Sequence, residues 1–203
     1  MPRPRKRDEV IEAATAVFLD AGFENASVDE IARRGGVSKR TVYNNFESKD
    51  ALFAAVVDRL WGSLRFETDG LSQVDRPVDE VLCEVARYTF TTLTEPRVLG
   101  LLRLVIAESP RYPELAEMFF RQGKGPVFRS LSVYLARLDG AGRLRVPDPE
   151  LAAFQFLGMF KEALVWPRLL GVRAPLDTSR EQVIEEAVHT FLARYARNQA
   201  SPQ

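Results

Sequence analysis

The sequence predicts an all-α protein, and three observations carry that prediction. Apolar residues recur at intervals of three and four along most of the chain. No run alternates apolar and polar residues as a half-buried strand would. Capping residues, prolines and glycines divide the chain into about nine helical segments with short connections.

The first segment runs from about Lys6 to Ala21, with Val10, Ala13, Ala14, Val17 and Phe18 on one face, and Gly22 ends it. Ser27 with Glu30 three residues on is a capping box that opens a second helix. Ile31 and Ala32 give that helix an apolar face. Gly35-Gly36 stops it, because glycine tolerates the positive φ that the turn needs. Ser38 caps a third helix, which turns Val37, Val42 and Phe46 inward and exposes Lys39, Arg40, Thr41, Tyr43, Asn44 and Asn45. A short helix with cationic and hydrogen-bonding side chains on an apolar inner stripe is what reading a DNA major groove requires. Ser48 caps a fourth helix, favoured by Asp50 in its first turn. Its Leu52, Phe53, Val56, Val57, Leu60 and Trp61 form a single stripe that continues to about Glu67.

Thr68 to Arg76, with Gly70, Ser72 and Asp75, is the candidate boundary near the middle of the chain. A fifth helix follows from about Pro77 to Leu93, and Pro96 suits the first turn of a sixth that ends near Glu108. Ser109-Pro110 and Tyr112-Pro113 mark a loop and a restart. The seventh helix then runs to about Leu138, with a bend expected at Gly123 or Gly125-Pro126. Gly140 and Gly142 mark a loop. Asp148-Pro149-Glu150 supplies an N-cap, a first-turn proline and a favourable charge for an eighth helix, which Pro167 ends or kinks beside Trp166. Thr178 with Glu181 reads as a capping box for a ninth helix, to about Arg197, and the tail from Asn198 to Gln203 is polar.

Composition narrows the function. The 28 basic and 28 acidic residues balance, which by itself argues against a nucleic-acid binder. Their distribution argues for one. Arg3, Arg5, Lys6 and Arg7 cluster at the N-terminus, and Arg33, Arg34, Lys39 and Arg40 cluster on the helix pair. The single cysteine, Cys83, excludes an intrachain disulfide and a zinc knuckle and reads as a small buried residue. The single histidine, His189, has no second ligand near it, so no metal is expected. One histidine and one cysteine cannot assemble a nucleophile, base and acid, so no catalytic residue, enzyme activity or cofactor is expected. Gly123-Lys124-Gly125 lacks the spacing of a phosphate loop. No apolar run of about 18 residues and no signal-peptide core occurs, so a cytoplasmic protein with no membrane partner is expected.

At its first 60 or so residues the chain resembles the TetR family of bacterial one-component transcription regulators. The resemblance rests on Ile31-Ala32, Gly36-Val37-Ser38, Thr41-Val42-Tyr43, Phe46 and Ser48-Lys49-Asp50-Ala51-Leu52, taken in order and spacing. Upstream, Ala13-Ala14-Thr15-Ala16-Val17-Phe18 followed by Gly22-Phe23 also fits. The family implies a three-helix DNA-binding head in residues 1–50 and a ligand-binding and dimerising body in residues 51–203, linked by the fourth helix. It also implies that Tyr43 and Lys49 hold DNA phosphates. Ser27, Ser38 and Thr41 can cap helices and touch the DNA backbone. Lys39, Arg40, Asn44 and Asn45 are base-reading candidates, since arginine matches guanine and asparagine matches adenine. Residues 3 to 7 read equally as a minor-groove arm or a solubilising tail.

The body resembles the family more weakly. Ala107-Glu108-Ser109-Pro110-Arg111-Tyr112-Pro113-Glu114-Leu115 looks like a stretch of TetR-type regulators grouped with efflux-pump repressors. Such bodies enclose an inducer pocket, for which Phe90, Phe119, Phe156, Phe160 and Trp166 are the candidates. Arg87, Arg103, Glu108, Gln122, Gln155 and Lys161 could supply polarity. The family also implies a homodimer held by the last two helices. The ninth carries Val183, Ile184, Ala187, Val188, Phe191, Leu192 and Tyr195, a surface wider than one stripe, so Ala187, Val188, Phe191 and Tyr195 are the interface candidates. The reading is thus a homodimeric repressor on a near-palindromic double-stranded operator, released by a small apolar effector. The alternative is a DNA-binding regulator without a small-molecule ligand, constitutive or controlled by a protein partner.

Overall fold

Side-chain caps from Ser27, Ser38, Ser48, Asp148 and Ser179 open five of the helices in the computed structural model, which describes residues 4–62, 71, 74–173 and 176–197. Arg3, the fourth helix beyond Gly62, most of the Thr68–Arg76 connection and the tail after Arg197 lie outside those residues. Among the described residues no strand occurs, and the one isolated bridge pairs Leu144 with Ala196.

The chain packs as two units, each discontinuous in sequence, which a linear division at residue 50 does not convey. The first unit combines Met1–Leu64 with Pro96–Lys124. It holds α1 (Pro4–Asn25), α2 (Val28–Arg34), α3 (Lys39–Asn45), α4 (Lys49–Gly62), α6 (Pro96–Glu108), α7 (Pro113–Met118) and a π-helical turn, Phe119–Lys124. Its core gathers the rings of Phe18, Phe23 and Phe53, with centroids 5.4 to 5.7 Å apart. Leu101, Leu104 and Leu115 are buried in the same unit. The second unit combines Arg65–Glu95 with Gly125–Gln203. It holds α5 (Val78–Thr94), α8 (Gly125–Gly140), α9 (Pro149–Met159), α10 (Lys161–Leu164), α11 (Trp166–Leu170) and α12 (Arg180–Tyr195). Leu82, Val85, Tyr134, Phe156, Phe160, Ile184 and Phe191 belong to its core.

Several boundaries differ from the sequence expectation for local reasons. Residues 4 to 7 begin α1 and are not a free arm. Gly22, at φ 82° and ψ 170°, interrupts α1 one residue after Ala21, and a further turn follows to Asn25. The bend expected near Gly123 is the π turn between α7 and α8. The helix expected to reach Trp166 breaks earlier, at Phe160, and Pro167 occupies the first turn of α11. A proline lacks the N–H that a first turn leaves unpaired, so it starts a helix as readily as it ends one. The last helix is capped one residue later than expected. Ser179 accepts from the Gln182 N–H while the Gln182 side chain accepts from the Ser179 N–H. Glu181 pairs instead with Arg87 and Arg180.

Candidate nucleic-acid interface

The turn between α2 and α3 is a Schellman motif. The Val37 N–H donates to the Ala32 carbonyl at 3.0 Å and the Gly36 N–H to that of Arg33 at 3.3 Å. Gly36 takes the left-handed φ of 60° that the motif needs. Ser27 caps α2, its hydroxyl accepting from the Glu30 N–H at 3.2 Å. Ser38 caps α3, accepting from the Thr41 N–H at 3.1 Å with its Oγ 2.8 Å from Thr41 Oγ1. Val42 and Phe46 are buried beneath α3, and Ile31 and Ala32 beneath α2. The buried stripe therefore fixes which side chains α3 offers to solvent.

Lys39, Arg40, Tyr43 and Asn44 make up the exposed face, with Tyr43 54% exposed. Lys39 forms a surface pair with Asp29 at 2.9 Å, and that carboxylate raises the ammonium pKa. A pair this exposed is worth little and can be exchanged for a phosphate. Arg33 pairs with Glu30 and Arg34 with Asp20, so the basic residues of α2 are matched by carboxylates. Asn45 is turned back on its own helix. Its Nδ2 donates to the Thr41 carbonyl at 2.7 Å, and its buried Oδ1 has no partner among the described residues. Lys49 sits at the start of α4 and donates to the Glu24 carbonyl at 3.0 Å and the Ala26 carbonyl at 3.4 Å. Its ammonium lies 4.7 Å from the centre of the Phe23 ring. An ammonium carries three donors, so one remains for a phosphate. Arg7 covers the Phe46 ring at 5.1 Å, which gives a member of the N-terminal basic cluster a packing role.

The five aromatic pocket candidates divide between the two units. Phe90, Phe156 and Phe160 lie in the core of the second unit, whereas Phe119 is buried in the first. Trp166 is 45% exposed and so is no core residue. The guanidinium groups of Arg168 and Arg180 lie 4.9 and 5.3 Å from the centre of the Phe90 ring. Glu108, expected as a polar group of the pocket, instead accepts from the backbone of Phe23. The side chain of Gln122 lies outside the described residues.

The four interface candidates on α12 require correction. Ala187, Val188, Phe191 and Tyr195 are 0 to 6% exposed within the single chain and form part of its core, so they have almost no surface for a partner. Tyr195 also donates from its hydroxyl to Gln155 at 2.7 Å. Exposed apolar side chains of this unit include Leu151, Phe154 and Met159 on α9 and Trp166 and Leu170 on α11, together with Val133 on α8 and Val172 and Leu176 beyond α11. A signal for those on α9 was present in the sequence. Leu-Ala-Ala-Phe-Gln-Phe-Leu-Gly-Met-Phe, residues 151 to 160, is apolar but for Gln155, more than one-sided burial uses.

A capped helix pair with a buried inner stripe and a cationic, amide-bearing outer face defines a helix-turn-helix transcription regulator. Residues 10–56 match the family described as bacterial regulatory proteins, tetR family, and residues 80–197 match the AefR-like transcriptional repressor C-terminal domain. The chain belongs to the TetR family. The solved structure of the flavonoid-responsive regulator FrrA is 34% identical and covers 97% of this chain and all of its own, with a TM-score of 0.79. A TetR family regulator from Pseudomonas syringae pv. tomato str. DC3000 is 31% identical, with coverage of 96% and 98% and a TM-score of 0.75. The transcriptional activator FasR of Mycolicibacterium smegmatis is 46% identical over 59 residues, and that match spans 29% of this chain and 27% of FasR. These relatives are transcription regulators and not enzymes, and regulators of this family bind DNA and act as dimers.

Proposed function

We propose that the protein is a cytoplasmic, ligand-responsive repressor that leaves a near-palindromic operator when a mainly apolar small molecule occupies its body. The observation that carries the DNA half of this reading is the solvent face of α3, where Lys39, Arg40, Tyr43 and Asn44 stand on a helix fixed from beneath by Val42. Tyr43, Lys49, Ser27, Ser38 and Thr41 then hold phosphates, and Arg40 and Asn44 read bases. Lys39 reads once Asp29 releases it, and Asn45 only after a rotamer change. A two-fold pair of heads needs half-sites about 34 Å apart or a multiple of it.

Three observations support the ligand half. The match to an AefR-like repressor C-terminal domain covers residues 80–197. FrrA, similar along its whole length, is named as flavonoid-responsive. The core of the second unit holds Phe90, Tyr134, Phe156 and Phe160, and the buried hydroxyls of Tyr134 and of Thr89 in the same unit have no partner among the described residues. An unpartnered buried hydroxyl costs about 1–3 kcal/mol, and a ligand carrying a polar group recovers it. An aromatic effector bearing hydroxyl groups fits this chemistry. The dimer face in this reading is the outer side of α9 and α11, whose Leu151, Phe154, Met159, Trp166 and Leu170 are exposed apolar side chains of the kind that mark a protein interface. FasR is an activator, so a repressor is expected here from the match to the body and not from the head.

The test is a panel of flavonoids, fatty acids and hydrophobic drugs, scored by thermal shift and by release of the protein from a selected duplex. Release by at least one aromatic compound, lost in Tyr134→Phe while the melting temperature of the free protein rises because an unpartnered hydroxyl is gone, is the expected result. DNA binding indifferent to every compound in the panel favours the ligand-free alternative.

A further inference from the structure

We infer that the Glu108 carboxylate is a positioning residue for DNA binding, which holds the turn between α1 and α2 and through it the setting of α3. This rests on α3 being the DNA-reading helix. The sequence stretch around Glu108 stands out as a motif, yet neither the DNA-reading face nor the pocket uses it.

Gly22 breaks α1, and the turn that follows has N–H groups with no carbonyl one turn back to accept them. Such groups are ordinarily met by a capping side chain close by in sequence. Here the acceptor is Glu108, from the end of α6. Its Oε1 accepts from the N–H of Phe23 at 2.9 Å and lies 3.4 Å from the N of Glu24. A methyl group on Gly22 would sit 2.9 Å from that same oxygen. Glycine is required there twice over, by its φ of 82° and by the approach of the carboxylate.

The neighbours of Glu108 reinforce the clamp. Its own carbonyl accepts from the N–H groups of Arg111 at 3.0 Å and Tyr112 at 2.8 Å, which folds the loop around it. Arg111 pairs with Glu24, and the Tyr112 ring meets the Phe23 ring edge-on at 5.2 Å. From the other side, the Lys49 ammonium donates to the carbonyls of Glu24 and Ala26. Ala26 precedes Ser27, the N-cap of α2, and α2 is locked to α3 by the Schellman turn. Residues 22 to 26 are therefore gripped between the end of α6 and the start of α4. Any change in the setting of α6 reaches α3 through a short run of hydrogen bonds.

The experiment compares wild type, Glu108→Leu and Glu108→Gln as full-length proteins. The DNA probes are a duplex selected from a random library by the wild type and a random duplex of equal length. Glu108→Leu is expected to lower the preference for the selected duplex by about tenfold, the scale of one charge-assisted hydrogen bond. Its Phe23 and Glu24 amides exchange faster with deuterium. The salt slope stays unchanged, because no phosphate contact is lost. Glu108→Gln keeps an acceptor oxygen in place and recovers most of both effects. Wild-type preference in Glu108→Leu overturns the inference, as does Glu108→Gln being as impaired as the leucine variant. Should Glu108→Leu not fold, Arg111→Ala replaces it, with a preference lowered about threefold expected from loss of an exposed pair and no loss overturning the inference. A wild type that selects no duplex at all defeats the DNA-binding reading instead, so the two failures are distinguishable.

Discussion

At the scale of single residues, Lys49 shows how one ammonium can serve two ends. Two of its donors close the α1–α2 turn, and the third is the one proposed to meet a phosphate. Lys49→Ala is therefore expected to lower both thermal stability and DNA affinity. The phosphate contact itself is read from the salt dependence of binding, which should fall by about one unit of slope. An unchanged slope with a lowered melting temperature would reduce Lys49 to its structural part. Tyr43→Phe removes only a hydroxyl from a 54% exposed side chain, so it should weaken selected and random duplexes alike without a stability loss. Arg40→Ala or Asn44→Ala should instead relax sequence preference, by about 1–3 kcal/mol for a bidentate contact. Fluorescence anisotropy on the two duplexes separates these outcomes. Asn45 shows how residue type alone does not give a side chain's resting contact. An asparagine at the end of a reading helix looks like a base contact, but its amide bonds the Thr41 carbonyl within its own helix.

At the scale of elements, what could be read in the sequence was whatever is decided within a few residues. Ser27, the glycine pair and Ser38 are local signals, and the structure uses each where the sequence places it, but Glu30 does not close the expected box, its carboxylate pairing with Arg33 instead. Gly36→Ala is expected to cost about 1–2 kcal/mol by chemical denaturation, from its φ alone, since a methyl group there meets nothing. The choice between Thr178 and Ser179 as the last N-cap was not legible, because each has a suitable partner three residues on. Pairing of Glu181 with Arg87 from another helix is compatible with the later cap, and no local rule contains it. The grip of Glu108 on Phe23 was hidden for the same reason, as 85 residues separate them. A pH effect belongs to this scale too. The Arg76 guanidinium holds the Glu84 carboxyl below its usual range, against a smaller upward push from burial. A lowered folded-state pKa stabilises above the unfolded carboxylate value of about 4.3 and ceases to do so as the pH falls through the folded value. Arg76→Ala should therefore flatten the acid limb of the stability profile, as measured by denaturation between about pH 5 and 3.

At the scale of the whole molecule, periodicity identified the apolar helices but not what covers them. The breadth of α12 reads equally as one face for the core and another for a partner, and the core takes Ala187, Val188, Phe191 and Tyr195. On α9 the apolar residues divide. Ala152, Ala153, Phe156 and Leu157 point inward, while Leu151 and Phe154 remain outside. Phe154→Glu is accordingly expected to give folded monomers by light scattering. Val188→Glu, which buries a charge in the core, should fail to fold cleanly. Trp166 emission should shift to the blue as the protein is concentrated through its dimerisation range. A dimeric Phe154→Glu protein would place the interface elsewhere.

The central claim, that two copies of α3 read DNA about a two-fold axis, is tested most directly by selection. Random duplexes are enriched for binding to the wild type, sequenced, and compared with those enriched by Arg40→Ala. The account predicts an inverted repeat with half-site centres about 34 Å or a multiple apart, whose sequence preference weakens in the variant. Duplexes that enrich without any repeat, or an identical motif from the variant, would contradict it.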